Sequence, residues 1–249
     1  MLQNPIHLRL ERLESWQHVT FMACLCERMY PNYAMFCKQT EFGDGQIYRR
    51  ILDLIWETLT VKDAKVNFDS QLEKFEEAIP AADDYDLYGV YPAIDACVAL
   101  SELMHSRLSG ETLEHAIEVS KTSITTVAML EMTQAGREMT DEELKTNPAV
   151  EQEWDIQWEI FRLLADCEER DIELIKGLRA DLREAGESNI GINFHTRKRD
   201  LTSDLSCHKA SLMPPVWSTF GRRKKVAIGA CMQESAFLAF PSHSMLSKR

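Results

Sequence analysis

The stretch IYRRILDLIWETL, residues 47–59, places apolar side chains at Ile47, Ile51, Leu54, Ile55 and Leu59, the series i, i+4, i+7, i+8, i+12. Arg49, Arg50 and Asp53 fill the gaps. At 3.6 residues per turn this spacing gathers the apolar groups into one stripe and turns the charges away from it. The segment is therefore predicted to be an amphipathic helix with one face in a core.

The same period recurs on both sides, whereas sustained period-two alternation is hard to find, so the fold class is predicted to be all-α. Upstream, Ser15 is expected to cap a helix through Trp16, Val19, Met22 and Cys26, with Pro31 breaking or kinking it before Tyr33, Met35 and Phe36. Downstream, Asp69 is expected to cap a short helix carrying Leu72, Phe75 and Ile79, with Pro80 beyond it. Pro92 is placed to open a helix on which Ile94, Cys97, Val98, Leu100, Leu103, Met104 and Leu108 cover most of the circumference. Burial on several sides makes this the expected central helix.

Residues 111–135 read as a further helix, with a strand as the alternative for the β-branched run Thr122, Ile124, Thr125, Thr126 and Val127. Thr140 and Glu143 resemble a capping box. Asn147-Pro148 then opens the longest periodic stretch, through Val150, Trp154, Trp158, Phe161, Ala165, Ile172, Ile175 and Leu182 to Gly186. Unbroken, it would measure roughly 55 Å at 1.5 Å per residue. A bend or break is expected near Glu168-Glu169-Arg170-Asp171. The prediction is a single-domain bundle of about six to eight helices over residues 1–190.

Charge divides the chain near residue 192. Residues 193–249 hold 10 Lys+Arg against 3 Asp+Glu, net +7, and residues 1–192 hold 18 against 37, net −19. The tail is Ser-rich with Pro214-Pro215 and no sustained helical period, so it is expected to be poorly structured, and its composition suggests a shifted or read-through reading frame. Its basic run Gly221-Arg222-Arg223-Lys224-Lys225 is a weak nucleic-acid signal. The acidic body repels nucleic acid and anionic membrane. No stretch approaches the ~18 apolar residues of a membrane span. The N-terminus lacks the apolar run and cleavage site of a signal peptide, so a cytoplasmic location is expected. The seven cysteines are odd in number and irregular in spacing, and Cys24, Cys26, Cys97 and Cys167 lie in apolar helical patterns. They read as buried thiols.

The segments LESWQHVTFMACLCERMYPNYAMFC, FGDGQIYRRILDLIWETL, DLYGVYPAIDACVALSEL and NPAVEQEWDIQWEIFRLL closely resemble the bacterial YjaG family, a domain of unknown function (DUF416). The resemblance covers essentially residues 1–192 and implies an all-helical cytoplasmic domain. It supplies no catalytic or binding residue to carry over. Family members end within a few residues of the position of Ile192, where this chain runs on.

Three arrangements are candidates for chemistry. On the expected central helix, Glu102 and His105 have the Glu-x-x-His spacing of a metal ligand pair, and Asp95 lies two turns earlier on the same polar strip. No second copy of the motif is present, which leaves a hydrogen-bonded histidine as the plain alternative. Glu111, Glu114, Glu138 and Asp141 imitate the paired acidic motifs of Mg²⁺-dependent pyrophosphohydrolases, but Glu138 and Asp141 follow Gly136 at a helix end and cannot face the first pair rigidly. The loop before the central helix gathers Asp84, Tyr85, Asp86, Tyr88 and Tyr91, the preferred ligand or partner surface. Trp154 and Trp158, one turn apart, read as core. Glycine-rich phosphate loops, nucleophile elbows, H-E-x-x-H and C-x-x-C are absent from the sequence.

These features point to a non-enzymatic helical protein that binds a protein or small ligand, with a basic partner favoured and no cofactor expected. The alternatives are a metal-dependent hydrolase or oxidoreductase using Asp95, Glu102 and His105, and a structural homo-oligomer.

Overall fold

The structure, a computed structural model, describes residues 5–193. These residues form α1 (Ile6–Leu10), α2 (Ser15–Thr40), α3 (Ile47–Thr60), α4 (Phe68–Glu76), a 3₁₀ turn (Ala82–Asp84), α5 (Val90–Ser109), α6 (Thr112–Ala135), α7 (Asp141–Lys145), α8 (Pro148–Ala165) and α9 (Ile172–Ala185). Seven helices have nine residues or more, within the expected range, and α1 and α7 are single turns of five. One isolated bridge, Glu187 with Asn193, is the one β pairing among the described residues. The basic tail lies outside the described residues.

The central element is α2, which corrects the assignment of that place to α5. Nineteen of its 26 residues are buried, and it packs against α3, α5, α6, α8 and α9. The sequence pattern misleads here because several buried residues of α2 are polar. Each of these finds at least one partner, which offsets part of its desolvation, although the buried Asn32 Oδ1 has none. His18 donates from Nε2 to the Leu10 carbonyl (2.7 Å) and faces the Thr112 hydroxyl at Nδ1 (2.9 Å), while burial lowers its pKa. Gln17 donates to the Leu164 carbonyl at the end of α8 (2.6 Å).

Pro31 lies inside α2 without ending it, so the expected break does not occur. Its missing N–H deprives the Glu27 carbonyl of its helical partner, a cost of ~3 kcal/mol for an interior proline. Burial of the helix on nearly all sides outweighs that cost. Other boundaries shift for local reasons. Glu14, not Ser15, is the N-cap of α2 in a reciprocal arrangement with Gln17, and Asn67, not Asp69, caps α4 by accepting from the Ser70 N–H (3.1 Å). Helix α5 starts at Val90, two residues before Pro92.

The β-branched run 122–127 is helical throughout, which removes the strand alternative. The hydroxyls of Thr122 and Thr126 donate to the carbonyls of Glu118 and Thr122 (2.9 Å each), so they supplement the helix. The Thr140–Glu143 capping box, the Asn147 cap with Pro148 behind it, and the Gly186 C-cap all form as expected. Of the expected bend or break, the structure has the break: α8 ends at Ala165 and Asp171 caps α9. Arg170 in that break donates to the Thr58 (2.8 Å) and Leu59 (2.9 Å) carbonyls at the end of α3, which satisfies groups a helix terminus leaves open.

Most apolar side chains join one cluster centred on α2, and Ile124, Val127, Ala128, Leu144 and Val150 form a smaller one under α7. Trp158 packs on the first and Trp154 on the second, so the two indoles serve separate cores rather than one stacked face. Cys24, Cys26, Cys37 and Cys97 are buried free thiols, and burial raises the pKa of each. Cys167 is half-buried and free. No helix among the described residues is long and apolar enough to cross a membrane.

Two buried carboxylates tie the helices together. Glu27, with its side chain 1% exposed, accepts from Arg49 on α3, from Arg183 Nε on α9 (3.0 Å) and from Trp56 Nε1 (2.9 Å). Glu153 on α8, equally buried, accepts from Arg28 (2.7 Å), Ser123 (2.7 Å) and Gln157 (3.1 Å). Asn189, beyond α9, extends this second network by donating to Ser123 (3.1 Å) and accepting from Asn32 (2.9 Å).

Candidate functional site

Gly110 ends α5 at φ +79°, a conformation open to glycine at little cost, and reverses the chain so that α6 returns antiparallel to α5. The Thr126 hydroxyl donates to Asp95 Oδ2 (2.8 Å), and this bond sets the register of the pair. In that register Met129 comes level with Tyr91. Heptad spacing puts Asp95 and Glu102 in one row of α5 and Tyr91, Val98 and His105 in the next, with Tyr88 in the turn just before the helix.

Asp95 is half-buried, and burial pushes its pKa above the ordinary aspartate range, with the Thr126 hydrogen bond pulling it partly back. Among the described residues no Lys, Arg or His pairs with it. Tyr88 lies close enough for the Asp95 charge to act on it. Burial, opposed by a hydrogen bond with Thr133 and reinforced by Asp95, raises the phenol pKa. The Tyr88 and Tyr91 rings are 5.9 Å apart at 54°, and Tyr91 is 55% exposed. Val98 and Met129 are the other large apolar residues exposed on this face. A desolvated carboxylate with one hydroxyl donor, beside two tyrosine rings and open apolar surface, is arranged to accept a cationic group.

The loop surface divides. Tyr85 turns inward, edge-on to Phe36 (4.9 Å) and Phe42 (6.1 Å), where it covers the core. Asp84 and Asp86 are exposed. Tyr88 and Tyr91 instead join Asp95, so residues from the loop surface and from the metal-ligand candidate meet in one place.

Glu102 does not turn to His105. It pairs with His115 of α6 (2.6 Å), whose ring lies parallel to that of exposed His105 with centroids 6.4 Å apart. Asp95 and Glu102 are seven residues apart, about 10.5 Å along a helix axis, and each is engaged separately. Among the described residues no three His, Cys, Asp or Glu side chains group as a metal ion needs. Sequence reasoning missed His115 because its proximity to Glu102 arises from the return of α6. It missed Thr126 for the same reason. The Glu27 cluster was also missed, since Arg49 and Arg183 lie 22 and 156 residues away from Glu27.

Comparison with known proteins places the chain in a family. The family described as "Protein of unknown function (DUF416)" matches residues 5–193. "Uncharacterized protein YjaG" of Escherichia coli (strain K12) is 95% identical over 194 residues, which span 78% of this chain and 99% of that protein. An uncharacterized protein of Haemophilus influenzae is 53% identical over 195 residues, 78% of this chain and all of the relative. The crystal structure of a DUF416 family protein from Shewanella baltica OS155 superposes with a TM-score of 0.73 at 34% identity, covering 77% of this chain and all of that one. The change of charge sign near residue 192 thus falls at the edge of the matched region. The acidic helical body of this chain belongs to the DUF416 family.

Proposed function

We propose that this protein is a non-enzymatic binding module that captures a Lys or Arg side chain of a basic protein partner at Asp95, between Tyr88 and Tyr91. The observation that carries the reading is Asp95 itself, a half-buried carboxylate with a raised pKa and no cation beside it among the described residues. Ionising such a group in the free protein is costly, and an incoming cation recovers that cost on binding. Tyr88 and Tyr91 offer ring faces to the same cation, and Val98 and Met129 offer apolar surface to its aliphatic stem. The net −19 of residues 1–192 attracts a basic partner at long range, most strongly at low salt.

The test is calorimetric titration of the chain with a short Arg/Lys-rich peptide at low and physiological salt. The Asp95→Asn variant is expected to lose roughly tenfold in affinity, about 1.4 kcal/mol. The exposed control Glu118→Gln should retain wild-type affinity. Equal losses in both variants, or no binding at low salt, would remove the site and leave diffuse charge attraction or nothing.

A further inference from the structure

Where α3 and α9 meet beside α2, three guanidinium groups surround two carboxylates. Glu27 uses Arg49, Arg183 and Trp56, which fill its oxygens. Arg179 has no part in this. It bonds Asp53 (2.9 Å), whose side chain is 42% exposed, and Arg183 reaches the same Asp53 oxygen. A buried glutamate explains Arg49 and Arg183, but Arg179 is surplus to it. The cluster carries three positive and two negative charges, a local excess of cation in a strongly acidic body.

The guanidiniums are held in fixed orientations with donors to spare. Arg49 lies over the Tyr30 ring, 3.8 Å from its centroid, and bonds Glu27 through Nη1. Arg179 uses Nη2, and Arg183 uses Nε and Nη2. The remaining nitrogens of these three side chains are not among the buried atoms that lack a partner, and the side chains are 20%, 31% and 29% exposed in the order Arg49, Arg179, Arg183. Their spare N–H groups therefore face solvent. A preorganised set of forked donors suits a planar or tetrahedral oxyanion, because charge-assisted bonds from arginine are strong and little side-chain freedom remains to be lost.

We propose that Arg49, Arg179 and Arg183 form a binding site for a small oxyanion, a carboxylate or phosphate group, with Asp53 as the internal competitor for the same donors. This site is independent of the Asp95 face. Asp53 occupies Arg179 and Arg183 in the free protein and yields part of that hydrogen bonding when the anion arrives.

The test uses the full chain with inorganic phosphate and, separately, succinate, each against sodium chloride at matched ionic strength, read by thermal midpoint and titration calorimetry. At least one of the two anions is expected to raise the midpoint above chloride. Response to phosphate alone assigns a phosphoryl ligand, and response to succinate assigns a carboxylate. Arg179→Gln should weaken binding roughly tenfold while its unliganded midpoint stays near wild type, because Arg179 supports no buried group. Asp53→Asn should tighten binding by about threefold or more, since it removes the competing charge. A merely structural cluster would not respond that way. No response beyond chloride in both the wild type and Asp53→Asn overturns the proposal, and so does an Arg179→Gln variant that binds as tightly as wild type.

Discussion

Glu27 on α2 and Asp95 on α5 are both carboxylates drawn out of water on long helices, yet their surroundings differ in kind. Glu27 is sealed, with two arginines and an indole N–H on its oxygens. Asp95 keeps an edge to solvent and receives one hydroxyl. The first arrangement spends its charge inside the molecule, joining α2, α3 and α9. The second leaves charge unsatisfied at the surface, beside tyrosines and exposed apolar groups. The proposed binding face rests on that contrast, because a carboxylate with a raised pKa and no cation beside it is a candidate for function where paired carboxylates are framework.

The contrast can be broken most forcefully at Glu27. Replacing it with Gln leaves Arg49 and Arg183 facing a neutral group in the interior, and the expected loss is about 3–5 kcal/mol, read by urea denaturation. A loss below about 1 kcal/mol would mean the cluster does not hold the helices together. Asn189→Ala comes next. It deprives Asn32 and Ser123 of partners in the Glu153 network, with an expected cost of about 1–3 kcal/mol.

At Asp95 the sign reverses. Its pKa is raised in the folded protein, so the folded state holds the proton more tightly than the unfolded chain and stability falls as pH rises through the folded value. Asp95→Asn is therefore expected to have a higher thermal midpoint than wild type at pH 7. The difference should close as pH drops below the ordinary aspartate value of about 3.9. A variant less stable than wild type at pH 7 would place Asp95 with Glu27, as framework. The smallest effect belongs to Tyr91→Ala, expected to change stability by no more than about 0.5 kcal/mol at so exposed a position. Its affinity for the basic peptide should nonetheless fall about two- to fivefold, the scale of an exposed cation–π contact. An unchanged affinity would take the ring out of the site.

The helices were legible because their determinants are local. The stripe Ile47 to Leu59, the Asn147-Pro148 start and the Thr140–Glu143 box involve residues within a few turns of one another, and all form. The centre of the bundle was not legible. Helix α2 buries Gln17, His18, Glu27 and Asn32 against partners from distant elements, so its polar residues look like a solvent face in sequence. Asp95 could be singled out because it interrupts an otherwise apolar helix, and Tyr88 and Tyr91 because they cluster before it. Their meeting depends on one turn of helix and was within reach. The pairing of Glu102 with His115 depends on how α6 folds back across Gly110, and the Arg49, Arg179 and Arg183 group on how α9 crosses α3. Neither crossing leaves a mark in residue spacing.

The most direct test of the binding face is a carboxyl-detected NMR titration of Asp95 against pH, with and without N-acetyl-arginine amide. The account expects Asp95 to titrate above the ordinary aspartate range, and the added guanidinium to lower that pKa while shifting the Tyr88 and Tyr91 ring signals. An Asp95 that titrates at the ordinary value, unmoved by the probe, would contradict it.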